Sequence, residues 1–354
     1  MPKQNWKEWW EERLGLESIF SFLRHKEVPR HKHTLWYYTG SAILVFFVIQ
    51  VLTGFLLLLY YKPTLDEAHQ SIQRLISEVP YGWLIRSIHH WSATMMIAFV
   101  FIHLMSIWLL KSYRKPRELT WMSGVFLLFI TLGFGFTGYL LPWDELSLAA
   151  TKVGTDIPRA IPLVGPWISE LLRGGADVTG ETLTRFFGLH VSILPMLIIF
   201  LLGFHLYLVQ KQGMSVPFQG ELKKEKIPYH SFWPNFVLRE SIFWLILFGI
   251  LITISVFFPR GLGNPADLLA PTPPGIKPEW YFLFIFQTLK LFPATILGIS
   301  GETFAILFIL AGVILFFFLP VIDNRPTGRK GQIITWAGVT LIIYALVMSI
   351  WSLL

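Results

Sequence analysis

The chain alternates long apolar runs with shorter polar segments. Seven of the apolar runs approach the roughly 20 residues that an α-helix needs to cross a lipid bilayer. They lie at about 38–61, 84–110, 121–141, 187–209, 241–258, 303–320 and 333–353. A shorter run at 280–292 predicts a short helix within a loop or at the membrane interface. The pattern therefore predicts an all-α integral membrane protein with seven transmembrane helices.

Positive charge is distributed unevenly among the segments that join these runs. Nineteen of the 29 Lys and Arg residues fall in the segments 1–35, 111–117, 211–239 and 325–330. Because cytoplasmic loops carry an excess of Lys and Arg, this bias predicts that the N-terminus lies in the cytoplasm. The long loops 142–186 and 259–302 are then expected on the outer side.

A polar segment at about 212–236 divides the first four spans from the last three. We therefore expect an N-terminal interfacial segment at 1–37, a four-helix domain at 38–215 and a three-helix domain at 216–354. The N-terminal segment is basic and rich in tryptophan, which is typical of a chain lying along a membrane surface. A solvated tail is the alternative.

Five histidines lie inside the apolar runs, where an ionisable side chain is costly and marks a candidate functional site. They are His89, His90, His103, His190 and His205. Fourteen residues of α-helix return to within about 40° of the same face and rise about 21 Å. His89 and His103 therefore share a face, near opposite membrane surfaces. His190 and His205 are fifteen apart, about 60° off in an ideal helix, and a kink at Pro195 can absorb this offset.

The two histidine-bearing spans are expected to run in the same direction, so that their histidines form two pairs. His89 meets His190 near the outer surface, and His103 meets His205 near the inner surface. Imidazoles that face each other across a helix bundle are typical axial ligands of b-type haem, so the pairs predict two haems. His90 points about 100° away from His89 and is not expected to be a ligand. The alternative is that these histidines only form hydrogen bonds with neighbouring helices.

The first and third spans carry glycines at the same fourteen-residue interval, Gly40 with Gly54 and Gly124 with Gly138. A macrocycle between four helices needs two walls that supply ligands and two walls without side chains, and glycine supplies the close approach. We therefore expect the first four spans to form a di-haem four-helix bundle. Ordinary small-residue packing between helices is the alternative.

Composition agrees with a membrane protein that holds haem without covalent attachment. Charged residues make up 14% of the chain, against about 25% in soluble domains. The chain has no cysteine, which excludes disulfides, thiolate ligands, thioether-linked haem and a cysteine-bound iron–sulfur cluster. The net charge of +7 is explained by loop bias rather than by a nucleic-acid partner.

The second long outer loop contains the stretch PPGIKPEWYFLF. There Glu279 stands between Pro278 and the aromatic pair Trp280 and Tyr281. A quinol that is oxidised at the outer face must release two protons, and a carboxylate near an apolar pocket can be tuned to accept them. A solvated acid within an interfacial aromatic belt is the alternative. The loop at 138–167, with Asp144 and Glu145, could form the other wall of the same pocket.

The PEWY motif at 278–281, the histidine spacings and the paired glycines together resemble cytochrome b of the cytochrome bc and bf complexes. The resemblance covers nearly the whole chain. The stretches RSIHHWSATMM, RKPRELTW, TGYLLPWDE and LTRFFGLH are most similar to the chloroplast and cyanobacterial bf branch. In that branch the four-span and three-span parts are separate polypeptides, whereas here they are fused.

This resemblance implies a subunit of a proton-translocating quinol–cytochrome c type oxidoreductase in a bacterial cytoplasmic membrane. Glu279 and Tyr281 would serve catalysis in the outer quinol pocket, with Pro278 and Trp280 beside them. One electron would pass to a Rieske iron–sulfur protein and on to a c-type cytochrome subunit or a plastocyanin-like acceptor. The other would cross through the two haems to reduce quinone at the inner face, completing a Q cycle. The resemblance also implies a homodimer of the complex.

The resemblance further implies that Arg86 and Arg117 lie near haem propionates, although ordinary positive-inside charge also explains Arg117. Three positions depart from the bf pattern. Tyr38 replaces the cysteine that attaches an additional haem, so that thioether cannot form. Gln210, followed by Lys211, replaces an arginine after the last haem ligand, which leaves Lys211 as the cation there. His90 also stands where an arginine is expected.

Two other classes of function compete with this interpretation. A di-haem anchor subunit that connects quinone with a peripheral dehydrogenase or hydrogenase would share the histidines but would not need the last three spans. A seven-span transporter or receptor would contain no haem. The colour of the purified protein distinguishes the transporter or receptor, which has no haem, from the di-haem anchor and the cytochrome b subunit.

Overall fold

The computed structural model describes residues 5–216, 227–271, 273–296, 298–323 and 328–354. The apolar runs fold into helices because an α-helix satisfies its own backbone N–H and C=O groups, which lipid cannot do. Within the described residues the α-helices are α1 (Trp6–Leu14), α2 (Leu16–His25), α3 (Tyr38–Leu58), α4 (Ala68–Ser77), α5 (Gly82–Leu109), α6 (Glu118–Leu140), α7 (Glu145–Asp156), α8 (Gly165–Arg173), α9 (Gly180–Gly188), α10 (Leu194–Gln212), α11 (Val237–Phe257), α12 (Leu283–Lys290), α13 (Gly301–Phe317), α14 (Leu319–Ile322) and α15 (Arg329–Leu353).

Six helical stretches among the described residues are long and apolar enough to cross a membrane. They are Thr34–Leu58, Gly82–Leu109, Glu118–Leu140, Gly180–Gln212, Phe232–Phe257 and Arg329–Leu353. Each overlaps one of the seven runs predicted from the sequence. The short run at 280–292 forms α12, preceded by a 3₁₀ turn at Trp280–Phe282.

The seventh predicted span, 303–320, is α13, an apolar helix of 17 residues. It ends at Phe317, three residues before Pro320. Pro320 has no N–H to continue the helical hydrogen-bond pattern, and it disfavours helical geometry at the residue before it. A separate four-residue helix, α14, follows. The span count of seven therefore stays a prediction.

The helices of the first part pack in two pairs, α3 along α5 and α10 along α6. α11 packs on α3 and α5 through a buried cluster that includes Phe46, Met96 and Leu251. α15 packs against α5 and α12. The last helices thus lie directly against the haem-site helices expected from the sequence.

A buried polar cluster also connects the two parts. Lys111, after the end of α5, lies with its Nζ 3.4 Å from Oδ2 of Asp323 and donates to the carbonyl of Gly331 at 2.7 Å. The hydroxyl of Tyr113 donates to the same carboxylate. Asp323 is 1% exposed. Because a buried charge needs a partner, this cluster fixes the start of α15 against the α5–α6 connection.

The N-terminal segment forms a two-stranded antiparallel sheet with the residues before α11. Strand β1 (Glu27–Pro29) pairs with β2 (Tyr229–Ser231), with Val28 opposite His230. A second small hairpin, β3 (Thr295–Ile296) with β4 (Ile299–Ser300), precedes α13.

Candidate functional site

The four histidines proposed as ligands lie at two levels of the helix bundle. His89 and His190 face each other with ring centroids 6.4 Å apart and ring planes at 66°. A metal–imidazole bond is about 2 Å long, so this separation leaves room for one metal ion between two ring nitrogens. His103 and His205 are near enough at the other level to interact electrostatically. We refer to these levels as the His89 end and the His103 end.

Each of these histidines forms a hydrogen bond with a hydroxyl side chain on the neighbouring helix. The pairs are Thr53 Oγ1 with His89 Nδ1 at 2.8 Å, Thr137 Oγ1 with His190 Nδ1 at 3.1 Å, Thr39 Oγ1 with His103 Nδ1 at 2.9 Å, and Ser123 Oγ with His205 Nδ1 at 2.9 Å. In every pair the hydroxyl residue directly precedes one of the four glycines singled out in the sequence.

The same hydroxyls determine which nitrogen of each ring carries the proton. Thr53 donates its hydroxyl proton to the carbonyl of Ile49 at 2.6 Å. The other three hydroxyls likewise donate to backbone carbonyls of their own helices, at Trp36, Thr120 and Gly133. A hydroxyl has one proton to donate, so towards Nδ1 it must accept. Each ring is therefore protonated at Nδ1 and keeps a lone pair on Nε2, the form that binds a metal ion.

The four glycines bring the backbones of α3 and α6 up to the histidine rings. A Cβ added at Gly138 would lie 2.6 Å from Cε1 of His190. The corresponding distances are 3.5 Å from Gly54 to His89, 3.3 Å from Gly40 to His103 and 3.4 Å from Gly124 to His205. Paired Nε2 lone pairs between two glycine walls fit a bis-histidine haem.

The fifteen-residue interval between His190 and His205 has a structural cause that the sequence analysis did not identify. A π-helical turn, Leu189–Ile193, connects α9 to α10 just before Pro195. A π-turn accommodates about one residue more than an α-turn. Fifteen residues here therefore follow nearly the same helical path as the fourteen between His89 and His103. The expected offset is removed by this turn together with the proline.

The His89 end opens into a cavity of about 320 Å³ that also reaches the PEWY segment. Its described lining includes both the haem-site residues and the candidate catalytic residues, namely Gly54, Arg86, His89, His90, Gly138, Tyr139, His190, Arg260, Glu279 and Tyr281. Pro278 and Trp280 are not among the described residues that line it. The ring of Trp280 instead packs edge-on against Phe101, with centroids 6.3 Å apart.

Glu279 and Tyr281 lie in this cavity with different surroundings. The Glu279 side chain is 20% exposed, and its Oε1 lies 3.7 Å from Nη2 of Arg260. Burial raises the pKa of Glu279, while Arg260 and a backbone hydrogen bond from Trp280 oppose the increase. Burial also raises the pKa of Tyr281, which keeps its hydroxyl neutral. That hydroxyl lies against Gly135 of α6, where an added Cβ would be 2.5 Å away.

The cations predicted from the sequence have defined partners. Arg86 is buried and donates from Nη1 to the carbonyl of Arg260 at 2.5 Å and from Nη2 to that of Gly261 at 3.1 Å. Arg117 donates to the carbonyl of Gln212 at 3.2 Å. Lys211 is exposed and lies over the ring of Tyr207, at 5.9 Å from its centroid.

Sequence reasoning missed a different cation at the His103 end. Nζ of Lys26 donates to Oε1 of Gln210 at 2.6 Å, which brings a positive charge to the position where Gln210 stands in place of an arginine. Burial lowers the pKa of Lys26, and Glu240 opposes this change. Tyr38 is buried nearby, with its ring against Phe236 at 5.1 Å between centroids.

The hydroxyl residues could have been found from the sequence, because Thr39 and Thr53 share the fourteen-residue interval of the glycines, as do Ser123 and Thr137. Arg260 gave no such signal, since it lies in an irregular loop.

Comparison with known proteins covers both parts of the chain. The family model for cytochrome b/b6/petB matches residues 24–213, and the model for cytochrome b(C-terminal)/b6/petD matches residues 265–354. The cytochrome b subunit of the cytochrome bc complex of Chlorobaculum thiosulfatiphilum is 48% identical over 341 residues, which are 96% of this chain and 78% of that protein.

Cytochrome b6 of Acaryochloris marina is 48% identical over 210 residues, which are 59% of this chain but 97% of that protein. Among solved structures, a chain of a hyperthermophilic respiratory Complex III matches with a TM-score of 0.87 and 30% identity, over 98% of this chain and 91% of that one. With its histidine pairs and both family matches in one polypeptide, the chain belongs to the cytochrome b family, with its b6-like part fused to the C-terminal part.

Proposed function

We propose that this chain is the cytochrome b subunit of a bc-type complex, a proton-translocating quinol–cytochrome c type oxidoreductase that works by a Q cycle. Quinol is oxidised at the His89 end and quinone is reduced at the His103 end. The observation that supports this most strongly is the single cavity that joins the His89/His190 pair to Glu279. In this proposal, the substrate lies between Glu279, the proton acceptor, and the haem site that accepts one of the two electrons.

The first part of the chain, 38–215, provides the haem-binding bundle in this proposal. His89 and His190 hold one haem iron and His103 and His205 the other, each through Nε2, while the adjacent hydroxyls fix the rings in that form. Bound haem supplies one-electron transfer between the two faces of the membrane. Arg86 and Arg117 are cations at the two ends of the bundle that can compensate propionate charge.

The second part, 216–354, provides the outer quinol pocket. Glu279 accepts a proton when quinol is oxidised, which requires that it be ionised beforehand. The neutral hydroxyl of Tyr281, packed against Gly135, shapes the wall of the pocket. At the His103 end, Lys26 and Gln210 mark the surroundings of the quinone-reducing site.

The partners follow from the same proposal. A Rieske iron–sulfur protein and a c-type cytochrome take the other electron, and the complex is a homodimer. The many exposed apolar side chains, such as Phe200 (78% exposed) and Leu245 (69%), face lipid or neighbouring subunits. The basic N-terminal segment and the His103 end lie on the cytoplasmic side of the bacterial membrane.

A redox titration of the purified complex, followed by reduced-minus-oxidised spectra, tests the proposal. We expect two b haems per chain with separated potentials, the lower at the His89 end, and pyridine haemochrome of the separated subunit gives the number. One haem or none would overturn the ligand assignment. A di-haem anchor would also contain two haems, but its Glu279→Gln variant would oxidise quinol at the same rate as the wild type.

A further inference from the structure

Arg260 is the cation that faces Glu279 in the outer cavity. It lies in the loop just after α11, and its Nη2 is 3.7 Å from Oε1 of Glu279. The same guanidinium lies close enough to the hydroxyl of Tyr139, on α6, to interact with it electrostatically. All three side chains line the cavity that contains His89.

The backbone that carries Arg260 is held in place from α5. Arg86 donates to the carbonyls of Arg260 and Gly261, and the indole Nε1 of Trp91 donates to the carbonyl of Phe258 at 2.7 Å. The start of the loop is thus anchored to α5 at three of its four residues between Phe258 and Gly261. This anchoring directs a partly exposed guanidinium, 42% accessible, towards a mostly buried carboxylate.

The position of Arg260 matters because Glu279 must meet two opposing requirements. Burial favours its protonated form, but a carboxylate can accept a proton only when it is ionised. The ionisable groups facing Glu279 are Arg260 from the α11 loop, Tyr139 from α6 and Tyr281 from its own segment. Among these three, Arg260 alone is a cation.

Resting on the function proposed above, we infer that Arg260 is a positioning residue: it holds Glu279 ionised and directed into the quinol cavity before each turnover. It does not touch the reacting atoms. The contact is long and made by one nitrogen of a partly exposed arginine, so the pair separates readily once Glu279 has taken a proton and the charge attraction is lost. A role confined to stabilising the C-terminal end of α11 would affect folding only.

The test is the pH dependence of quinol oxidation by the whole complex, measured with a soluble short-chain quinol. For Arg260→Gln we expect the acid limb of the rate profile to move to higher pH, because Glu279 then protonates more readily. Arg260→Lys, which keeps the charge, should leave the limb near its wild-type position. Glu279→Gln should lose most of the rate together with the limb, and the double variant should match Glu279→Gln.

A measurement on the unmodified complex covers the case in which Arg260 variants fail to fold. Salt screens a partly exposed ion pair, so raising ionic strength should move the wild-type acid limb to higher pH. Infrared difference spectra across the same pH range should show the Glu279 carboxyl band moving in parallel. If neither salt nor Arg260→Gln changes the pH of the acid limb, the inference is overturned and the proposed function stays intact. Wild-type activity in Glu279→Gln would instead overturn the proposed function itself.

Discussion

Gly138 and His190 form the tightest of the four glycine–histidine contacts, since a Cβ at Gly138 would lie only 2.6 Å from Cε1 of the ring. Gly54 lies on the opposite wall of the same level, where the corresponding distance to His89 is 3.5 Å, an ordinary van der Waals contact. The two walls at the His89 end therefore have different tolerance for an added methyl group.

We expect Gly138→Ala to displace the ring of His190 and to lower the haem content at the His89 end, at a cost of about 1–3 kcal/mol for overpacking. Gly54→Ala is the matched control and should retain both haems. Reduced-minus-oxidised spectra of the two purified variants, with haem counted per chain, make the comparison. Equal haem content in both variants would show that close approach at Gly138 is not required.

Replacing Thr53 by Val removes the group that accepts the Nδ1 proton of His89. The ring then becomes a less basic ligand, so we expect the potential of the haem at the His89 end to rise and its affinity to fall by about 10–100-fold. Thr53→Ser keeps the acceptor and should resemble the wild type. A redox titration measures the haem potential, and the haem retained after dilution measures the haem affinity. The interpretation fails if Val and Ser variants have the same potential.

Quinol oxidation should decline at low pH because of Glu279. Burial raises the pKa of this carboxyl above its ordinary value, so protonation occurs as pH falls through a raised pKa and removes the proton acceptor. Glu279→Gln should lower the rate by about 10²–10⁴-fold, as expected for loss of a general base. Its haem spectrum should be unchanged. A variant that keeps the wild-type acid limb would contradict this role.

The buried pair of Lys111 and Asp323 should matter for stability rather than for electron transfer. Asp323→Asn removes the buried negative charge that pairs with Lys111 and accepts from Tyr113, and breaking a buried ion pair costs about 3–5 kcal/mol. Glu67→Gln breaks the exposed pair with Lys62, whose side chains are 52% and 41% accessible, and should cost at most about 1 kcal/mol. Thermal unfolding in detergent, followed by haem release, compares them. Equal midpoints for the two variants would contradict a structural role for Asp323.

The sequence was most informative where regular helix geometry relates residue spacing to position. The fourteen-residue intervals predict one shared face for His89 and His103 and one for each glycine pair, because rise and rotation per residue are nearly constant. The haem ligation itself stays a prediction. The fifteen-residue interval was harder, since a π-turn changes the count of residues per turn and propensity rules do not predict it.

Irregular segments were the least predictable. The contact of Arg260 with Glu279 depends on how a long loop folds back, and the contact of Lys26 with Gln210 joins positions 184 apart in the chain. Neither follows from local periodicity. The end of α13 could have been anticipated, because Pro320 lies inside the run that was expected to span the membrane.

The β1–β2 pairing has a consequence for assembly. Val28 lies opposite His230, so the first part of the chain is hydrogen-bonded to the segment that precedes α11. Relatives such as the cytochrome b6 above end near the boundary between these parts. In a single polypeptide the pairing is intramolecular and does not depend on the concentration of a second chain. Every copy of the haem-binding part is therefore synthesised with its own PEWY segment, and the ratio of the two parts does not depend on balanced expression.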